Sequence, residues 1–127
     1  MSDVTVRLDF AGEERPFALL IRELRALQSV CDAGPGELLQ RFDAQRYRVD
    51  DVRETIRQGL IGGGLTDAVA TKLMRDHFDN RPLAQFVVLA QIIVAAALVG
   101  VEDDPVGEPK AGAAKKPRSR AAKSAGQ

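Results

Sequence analysis

The sequence is poor in the residues that build disulfide scaffolds and metal centres. Of its 127 residues, one is cysteine, one is histidine and none is tryptophan. Because Cys31 has no partner for an intramolecular disulfide, a small secreted scaffold held by disulfides is excluded. The start of the chain also lacks the basic and apolar segments of a secretory signal. We therefore expect a cytoplasmic location.

The two potentially reactive side chains lack the neighbours that catalysis or metal binding requires. His77 has no cysteine or histidine pair at ligand spacing, so we interpret it as the C-terminal residue of a helix, near the negative end of its dipole. Cys31 and His77 could form a nucleophile–base pair. However, Cys31 shares an apolar stripe with Leu24 and Leu27, where a buried thiol is ordinary. We expect no catalytic residue, no metal site and no cofactor.

Acidic residues are missing from the C-terminal end. Residues 1–101 carry 12 basic and 14 acidic side chains, whereas the final 18 residues carry six cations and no acid. The rest of this end is alanine, glycine, serine, proline and glutamine, which cannot bury enough apolar surface to offset the entropy of ordering. The sequence predicts one folded domain over 1–101 and a disordered basic tail over 102–127.

The tail cations are candidates for contact with a partner protein or with the phosphates of a nucleic acid. The residues concerned are Lys115, Lys116, Arg118 and Arg120. The tail has no aromatic residue for base stacking and no known nucleic-acid-reading motif, so nucleic-acid binding is the less favoured interpretation.

The beginning of the chain alternates between apolar and polar residues, which is typical of a half-buried strand. The apolar members are Val4, Val6, Leu8 and Phe10. Residues 11–14 predict a turn and residues 15–20 a returning strand. Pro16 has no N–H group, so it should lie at a sheet edge or at a strand start. A two-stranded hairpin is not stable alone and is expected to pack on helices.

About five helices are predicted after the hairpin. The first spans Leu20 to Cys31, and Pro35 suits the first turn of the second. We expect Asp50 and Thr66 to be the N-caps of the third and fourth. The apolar face of the third helix comprises Val52, Ile56 and Leu60. The predicted fold class is α+β, mostly α, with a two-stranded hairpin packed on a compact helical bundle.

Charge is absent from residues 83–101, a run of 19 residues. This length is sufficient for a transmembrane helix, and a small membrane-anchored protein is therefore one alternative. The other is a central core helix that is apolar on all sides because its neighbours pack against it. We favour the core helix, since the amphipathic helices before it need a shared apolar partner.

Four glycines cluster near the end of the third helix, at Gly59 and Gly62–Gly64. The cluster lacks the Gly-Lys-Ser/Thr ending of a phosphate-binding P-loop and follows a helix rather than a strand. We interpret it as a helix end and a turn with positive φ.

Five segments, in this order, resemble one known family. They are Ile-Arg-Glu-Leu-Arg-Ala-Leu at 21–27, Gly-Glu-Leu-Leu-Gln-Arg-Phe at 36–42, Gly-Leu-Ile-Gly-Gly-Gly at 59–64, His-Phe-Asp-Asn-Arg-Pro-Leu-Ala at 77–84 and Ala-Ala-Leu-Val-Gly-Val at 96–101. Over residues 4–104 the chain resembles the gene transfer agent family of small phage-tail proteins, described as tail tube or tail assembly chaperone proteins. The hairpin turn departs from the expected Asp-Gly pair, because Ala11 precedes Gly12. The basic tail lies outside the resemblance.

The resemblance implies a non-enzymatic role in building the tail of a phage, a prophage or a phage-like particle in a bacterial host. A tail assembly chaperone keeps the tape-measure protein soluble until the tail tube forms around it. The implied partner is the tape-measure protein or another tail protein, bound by its apolar helices, with no small-molecule substrate. The alternative in the same class is a structural component retained in the particle. The motif residues of the resemblance are interpreted as structural. They are Gly59, Gly62, Gly63, Gly64, Arg81 and Pro82.

Overall fold

The computed structural model describes residues 2–102. In chain order the elements are β1 (Ser2–Asp3), β2 (Val6–Phe10), β3 (Glu13–Phe17), α1 (Ile21–Cys31), α2 (Pro35–Asp43), α3 (Val49–Gly62), α4 (Asp67–His77), a 3-10 helix (Leu83–Phe86), α5 (Val87–Val99) and β4 (Val101–Glu102). The predicted α+β, mostly α class is confirmed. Apart from its first residue, the predicted basic tail lies outside the described residues, including Lys115, Lys116, Arg118 and Arg120.

The hairpin turn consists of two residues, Ala11 and Gly12, with φ of 56° and 87°. Two successive positive φ angles define a type I′ turn, whose twist matches that of the flanking strands. Alanine enters this region less readily than asparagine or aspartate, so the turn type was not evident from the residues. β3 begins directly after the turn, at Glu13, two residues before the predicted start at Arg15.

A second, very short antiparallel pair joins the two ends of the described chain. Ser2 lies opposite Glu102 and Asp3 opposite Val101. Gly100, with φ of 83°, separates α5 from this strand. Strands of two residues show no alternation of apolar and polar side chains, so this pairing could not be predicted from the residues.

The helix starts combine one confirmed prediction with one correction. Thr66 is the N-cap of α4, and its hydroxyl accepts a hydrogen bond of 3.2 Å from the N–H of Val69. Asp50, the predicted N-cap of α3, instead lies inside the helix, and Arg48 occupies the cap position. The carboxylate of Asp51 accepts the Arg48 N–H at 2.7 Å. A carboxylate at the third helical position thus accepts the N–H of the cap residue, as the N3 side chain of a capping box does.

The central helix is α3, and the prediction that the uncharged last helix holds this position is wrong. α3 packs against α1, α4, α5 and β3. The predicted face of Val52, Ile56 and Leu60 is fully buried. α5 packs mainly against α2 and α3 and leaves one side exposed. Small and hydrogen-bonded residues such as Gly59 and Thr55 allow α3 to be covered on several sides without being uniformly apolar.

Aromatic contacts attach the hairpin to the helices. The ring of Phe10 lies 6.3 Å from that of Phe17 and 6.0 Å from that of Phe86, both edge-on. Phe86, in the 3-10 helix, also lies 4.7 Å from Phe78, which follows α4. The hairpin, the end of α4 and the start of α5 therefore share one apolar cluster, and edge-on geometry is favourable for such rings.

The uncharged run of residues 83–101 is split between the 3-10 helix and α5, which has 13 residues. At 1.5 Å per residue such a helix extends about 20 Å, short of a hydrocarbon core of about 30 Å. Within residues 2–102, no helix is both long enough and apolar enough to cross a bilayer. The length that suggested a transmembrane helix over 83–101 is therefore not present in a single α-helix.

Candidate partner-binding surface

α5 carries an apolar stripe on the side that faces away from the core. Its buried side is formed by Ala90, Ile93, Val94 and Ala96. On the opposite side, Val88, Ile92 and Val99 expose 65%, 39% and 81% of their surface. Their spacing of four and seven residues places them in one line along the helix. We call Val88, Ile92 and Val99 the α5 stripe.

The α5 stripe is unusual because nothing charged interrupts it. Leu98, exposed by 42%, lies beside it, and α5 contains no ionisable side chain. The polar Gln91 on the same helix contacts the carboxylate of Asp43 at the end of α2. Single exposed apolar residues are normal on a protein surface, but an aligned set on an uncharged helix is typical of an interaction site. The shape and chemistry of the stripe suit an apolar helix.

The glycine cluster forms a close junction between α3 and β3. The Gly59 carbonyl accepts a hydrogen bond of 3.0 Å from the N–H of Ala18. A Cβ at Gly62 would lie 1.8 Å from the Ala18 carbonyl oxygen, and a Cβ at Gly63 would lie 2.1 Å from that of Pro16. Both distances are far below van der Waals contact, so two of these glycines are needed for close backbone approach. The junction is structural.

The last glycine of the cluster supplies the turn. Gly64 has φ of 124°, a conformation open to glycine, and its N–H donates to the Ile61 carbonyl at 3.0 Å. The predicted turn with positive φ is therefore confirmed at this position. Gly63, with φ of −79°, ends the helix in ordinary right-handed geometry.

Arg81 and Pro82 lie in the connection between α4 and the 3-10 helix. The Arg81 N–H donates to the Phe78 carbonyl at 3.0 Å, and the Pro82 carbonyl accepts from Gln85 at 3.1 Å. Pro82, with φ of −61°, is the N-cap of the 3-10 helix. The two motifs therefore lie in different parts of the fold. The glycine junction joins α3 to β3, whereas Arg81 and Pro82 connect α4 to the 3-10 helix.

His77 is the last residue of α4, as its interpretation required, and it lines a cleft of about 500 Å³ between the hairpin turn and the 3-10 helix. The lining combines the apolar side chains of Phe10, Phe86 and Leu89 with the charged Asp9 and Arg81. Within residues 2–102 there is no group of three or more histidine, cysteine, aspartate or glutamate side chains that could hold a metal ion.

Cys31 ends α1 and is buried, as predicted. Its Sγ donates to the Asp50 carbonyl at 3.5 Å. Burial, followed by the nearby Asp51 carboxylate, raises the pKa of the thiol to about 12. A nucleophilic cysteine requires the opposite, a lowered pKa and access to solvent. This environment is that of a structural thiol.

A buried ion pair escaped the sequence-based interpretation. Asp51 is fully buried, and its Oδ1 lies 2.8 Å from Nη1 of Arg41 in α2. The same Nη1 donates to the Cys31 carbonyl at 3.3 Å, so Arg41 joins α1, α2 and α3. Three acidic residues within five positions, Asp50, Asp51 and Glu54, suggest only favourable charges at a helix start. The pair could have been inferred only from the central position of α3, because a carboxylate buried there requires a cation as its partner.

Comparison with known proteins identifies the family. A family model described as "Phage tail tube protein, GTA-gp10" matches residues 3–100 of the chain. The curated proteins and the solved structures gave no match. The matched range covers nearly all of the described fold, including the glycine junction, the Arg81-Pro82 connection and α5. The chain therefore belongs to the GTA-gp10 phage tail tube family and is a phage-tail protein of the gene transfer agent type.

Proposed function

We propose that the protein is a non-enzymatic tail assembly chaperone that binds the tape-measure protein. Membership of a phage-tail family supports a role among tail proteins. The observation that carries the finer proposal is the α5 stripe, an uncharged apolar surface of the right form for a helix. The proposal requires that the tape-measure helices expose apolar faces before the tail tube forms around them.

The proposed contact buries the α5 stripe in helix-to-helix packing. Val88, Ile92 and Val99 lie about one and two turns apart, so they can fit between the side chains of a facing helix. Because α5 bears no charge, the contact needs no matching charges on the client and tolerates helices of varied sequence. Such tolerance suits a client that is long and helical.

Co-expression with the tape-measure protein of the same locus tests this proposal. We expect the wild-type chain to raise the soluble fraction of the client and to be recovered with it. Val88→Asp and Ile92→Asp should abolish both effects, because each places a charge in the apolar contact. Val69→Asp is the matched control, since Val69 is 48% exposed but lies on α4. Circular dichroism and thermal melts establish that every variant is folded.

An unchanged soluble fraction with the wild-type chain contradicts the chaperone proposal. Equal loss of binding with Val69→Asp and Val88→Asp would contradict its assignment to α5. The first outcome tests the chaperone function, and the second tests whether α5 is the binding surface.

The second candidate is a structural tail component that stays in the particle, and the family description as a tail tube protein favours it. Mass spectrometry of purified particles distinguishes the two. A chaperone acts in the host cytoplasm and is absent from finished particles, whereas a tube component is present in many copies.

A further inference from the structure

The two outer edges of the β2–β3 hairpin differ in their accessibility. On β3, Pro16 has no N–H group, and its carbonyl oxygen lies against Gly63 at the end of α3. On β2, Arg7 and Asp9 lie between the residue pairs that exchange hydrogen bonds with β3, because the two-residue turn makes Phe10–Glu13 the first such pair. Their N–H and C=O groups therefore point away from β3.

No other described element pairs with this edge of β2. Among residues 2–102, backbone hydrogen bonds outside the helices and strands do not involve Arg7 or Asp9. Strand β1 pairs with β4 instead. An open edge of this kind can take up a further strand through main-chain hydrogen bonds.

The exposed face of the hairpin contains an electrostatic conflict. Asp9 lies directly opposite Glu14, and like charges in this position are destabilising. Arg7 is bound to Glu14, with Nε 3.1 Å from Oε1. Within the part of the chain that the structure describes, Asp9 has no cation within 4.0 Å.

We propose that this edge pairs antiparallel with the same edge of a second copy of the chain, with the two-fold axis at Leu8. In this register Arg7 of each copy lies opposite Asp9 of the other. Each such pair exchanges two main-chain hydrogen bonds, and each Asp9 gains an arginine. Leu8 meets Leu8 on the inner face, and the two hairpins form one four-stranded sheet.

The charges select both this register and this partner. A shift of the axis by one residue toward the N-terminus places Arg7 opposite Arg7, and a shift by one toward the C-terminus places Asp9 opposite Asp9. Only the axis at Leu8 pairs opposite charges at both positions. Such self-complementarity is the property that a two-fold interface requires, and it does not depend on the proposed chaperone function.

Analytical ultracentrifugation of the full chain tests the dimer. We expect a reversible monomer–dimer equilibrium in the wild type. Arg7→Glu and Asp9→Arg should each raise the dissociation constant by about tenfold or more, because each opposes two pairs of like charges across the axis. The double variant Arg7→Glu/Asp9→Arg should restore most of the affinity. Arg25→Glu, an exposed change on α1, is the control and should leave the equilibrium unchanged.

Two results would overturn the proposal. One is a protein that stays monomeric at millimolar concentration. The other is a dimer that forms through a different surface. In that case the dissociation constant changes equally in the edge variants and in Arg25→Glu, or Val88→Asp abolishes the dimer while the edge variants retain it. Loss of the dimer in Val88→Asp would place the contact at α5.

Hydrogen exchange on the wild-type chain provides a measure that needs no variant. The amides of Arg7 and Asp9 should exchange slowly at high protein concentration and rapidly on dilution. Amides of the β2–β3 pairs, such as that of Leu8, should stay protected in both conditions. Rapid exchange of Arg7 and Asp9 at a concentration where the protein is dimeric would contradict the edge pairing.

Discussion

Nη1 of Arg41 lies 2.8 Å from Oδ1 of Asp51, a carboxylate without exposed surface. Asp51 also accepts the Arg48 N–H at 2.7 Å, so one buried side chain both caps α3 and binds α2. The pair makes the position of the central helix depend on an interaction that cannot be weakened from one side without leaving a buried charge.

Removal of one member of this pair should be strongly destabilising. Arg41→Leu leaves the Asp51 carboxylate buried without its cation, and we expect the free energy of unfolding to fall by about 3 kcal/mol or more. Glu37→Gln removes only the exposed partner of Arg41 and should cost less than about 1 kcal/mol. Urea unfolding followed by circular dichroism measures both. Similar losses in the two variants would contradict the importance assigned to the buried contact.

Replacement of glycine by alanine should change the stability in opposite directions at Gly63, in the glycine junction, and at Gly36, in α2. Gly63→Ala brings a Cβ within 2.1 Å of the Pro16 carbonyl oxygen, and we expect a loss of about 2–3 kcal/mol in stability. Gly36→Ala, in the first turn of α2, meets nothing within 4 Å and should stabilise by about 0.5–1 kcal/mol. Thermal unfolding of both variants is the measurement. A Gly63→Ala variant as stable as wild type would show that β3 can move away from α3 at no cost.

Because of the Arg53–Asp79 contact, part of the free energy of unfolding should vary with pH in the acid range. Two hydrogen bonds from Arg53, of 2.8 and 3.0 Å, lower the pKa of Asp79 below its ordinary value. A lowered pKa in the folded state means that this stabilisation is present above about pH 3.9, the ordinary value, and is lost as the pH falls through the folded pKa.

Arg53→Gln should therefore raise the titration midpoint of the Asp79 carboxyl toward the ordinary value, as followed by NMR. Lys72→Gln, which removes the exposed cation beside Asp76, is the control and should leave the Asp79 midpoint in place. A midpoint that does not move in Arg53→Gln would contradict the assigned cause.

The buried thiol should affect stability at alkaline pH. The pKa of Cys31 is raised to about 12 by burial, whereas an exposed thiol ionises near 8.5. The stabilisation linked to the neutral buried thiol is complete below about pH 8.5 and is lost as the pH rises toward the folded value. Between these limits, wild type should lose more stability than Cys31→Ala. Parallel curves for the two proteins would contradict the raised pKa.

The same thiol should be inert in the native protein. Reaction with iodoacetamide should occur only after denaturation, since both burial and protonation oppose it. Rapid labelling of the folded protein would show that Cys31 is accessible. In that case the structural role of Cys31 would need revision.

The parts of the fold that could be predicted are those specified by neighbouring residues. The alternation around Leu8 indicates a strand, and the Thr66 hydroxyl indicates a helix start. The face of Val52, Ile56 and Leu60 follows from helical spacing alone. In each case the physical cause lies within a few positions along the chain, so that the residues themselves are sufficient.

The parts that could not be predicted depend on distant partners. The burial of Asp51 depends on Arg41, and the close approach at Gly63 depends on Pro16, both contributed by other elements. Hydrophobicity indicated the wrong central helix, since the uncharged α5 is exposed on one side. The exposed fraction of Val88 cannot be read from its identity.

The pairing of β1 with β4 also makes the protein suitable for circular permutation. Residues 2 and 102 lie opposite each other in one short ladder, so the described fold begins and ends at the same place. A linker of a few residues could close the chain there, and new ends could be opened at a surface turn. A permutant with ends at Gly12 would keep the α5 stripe while interrupting β2–β3. Such a permutant would therefore show whether the proposed contact at α5 requires a closed hairpin.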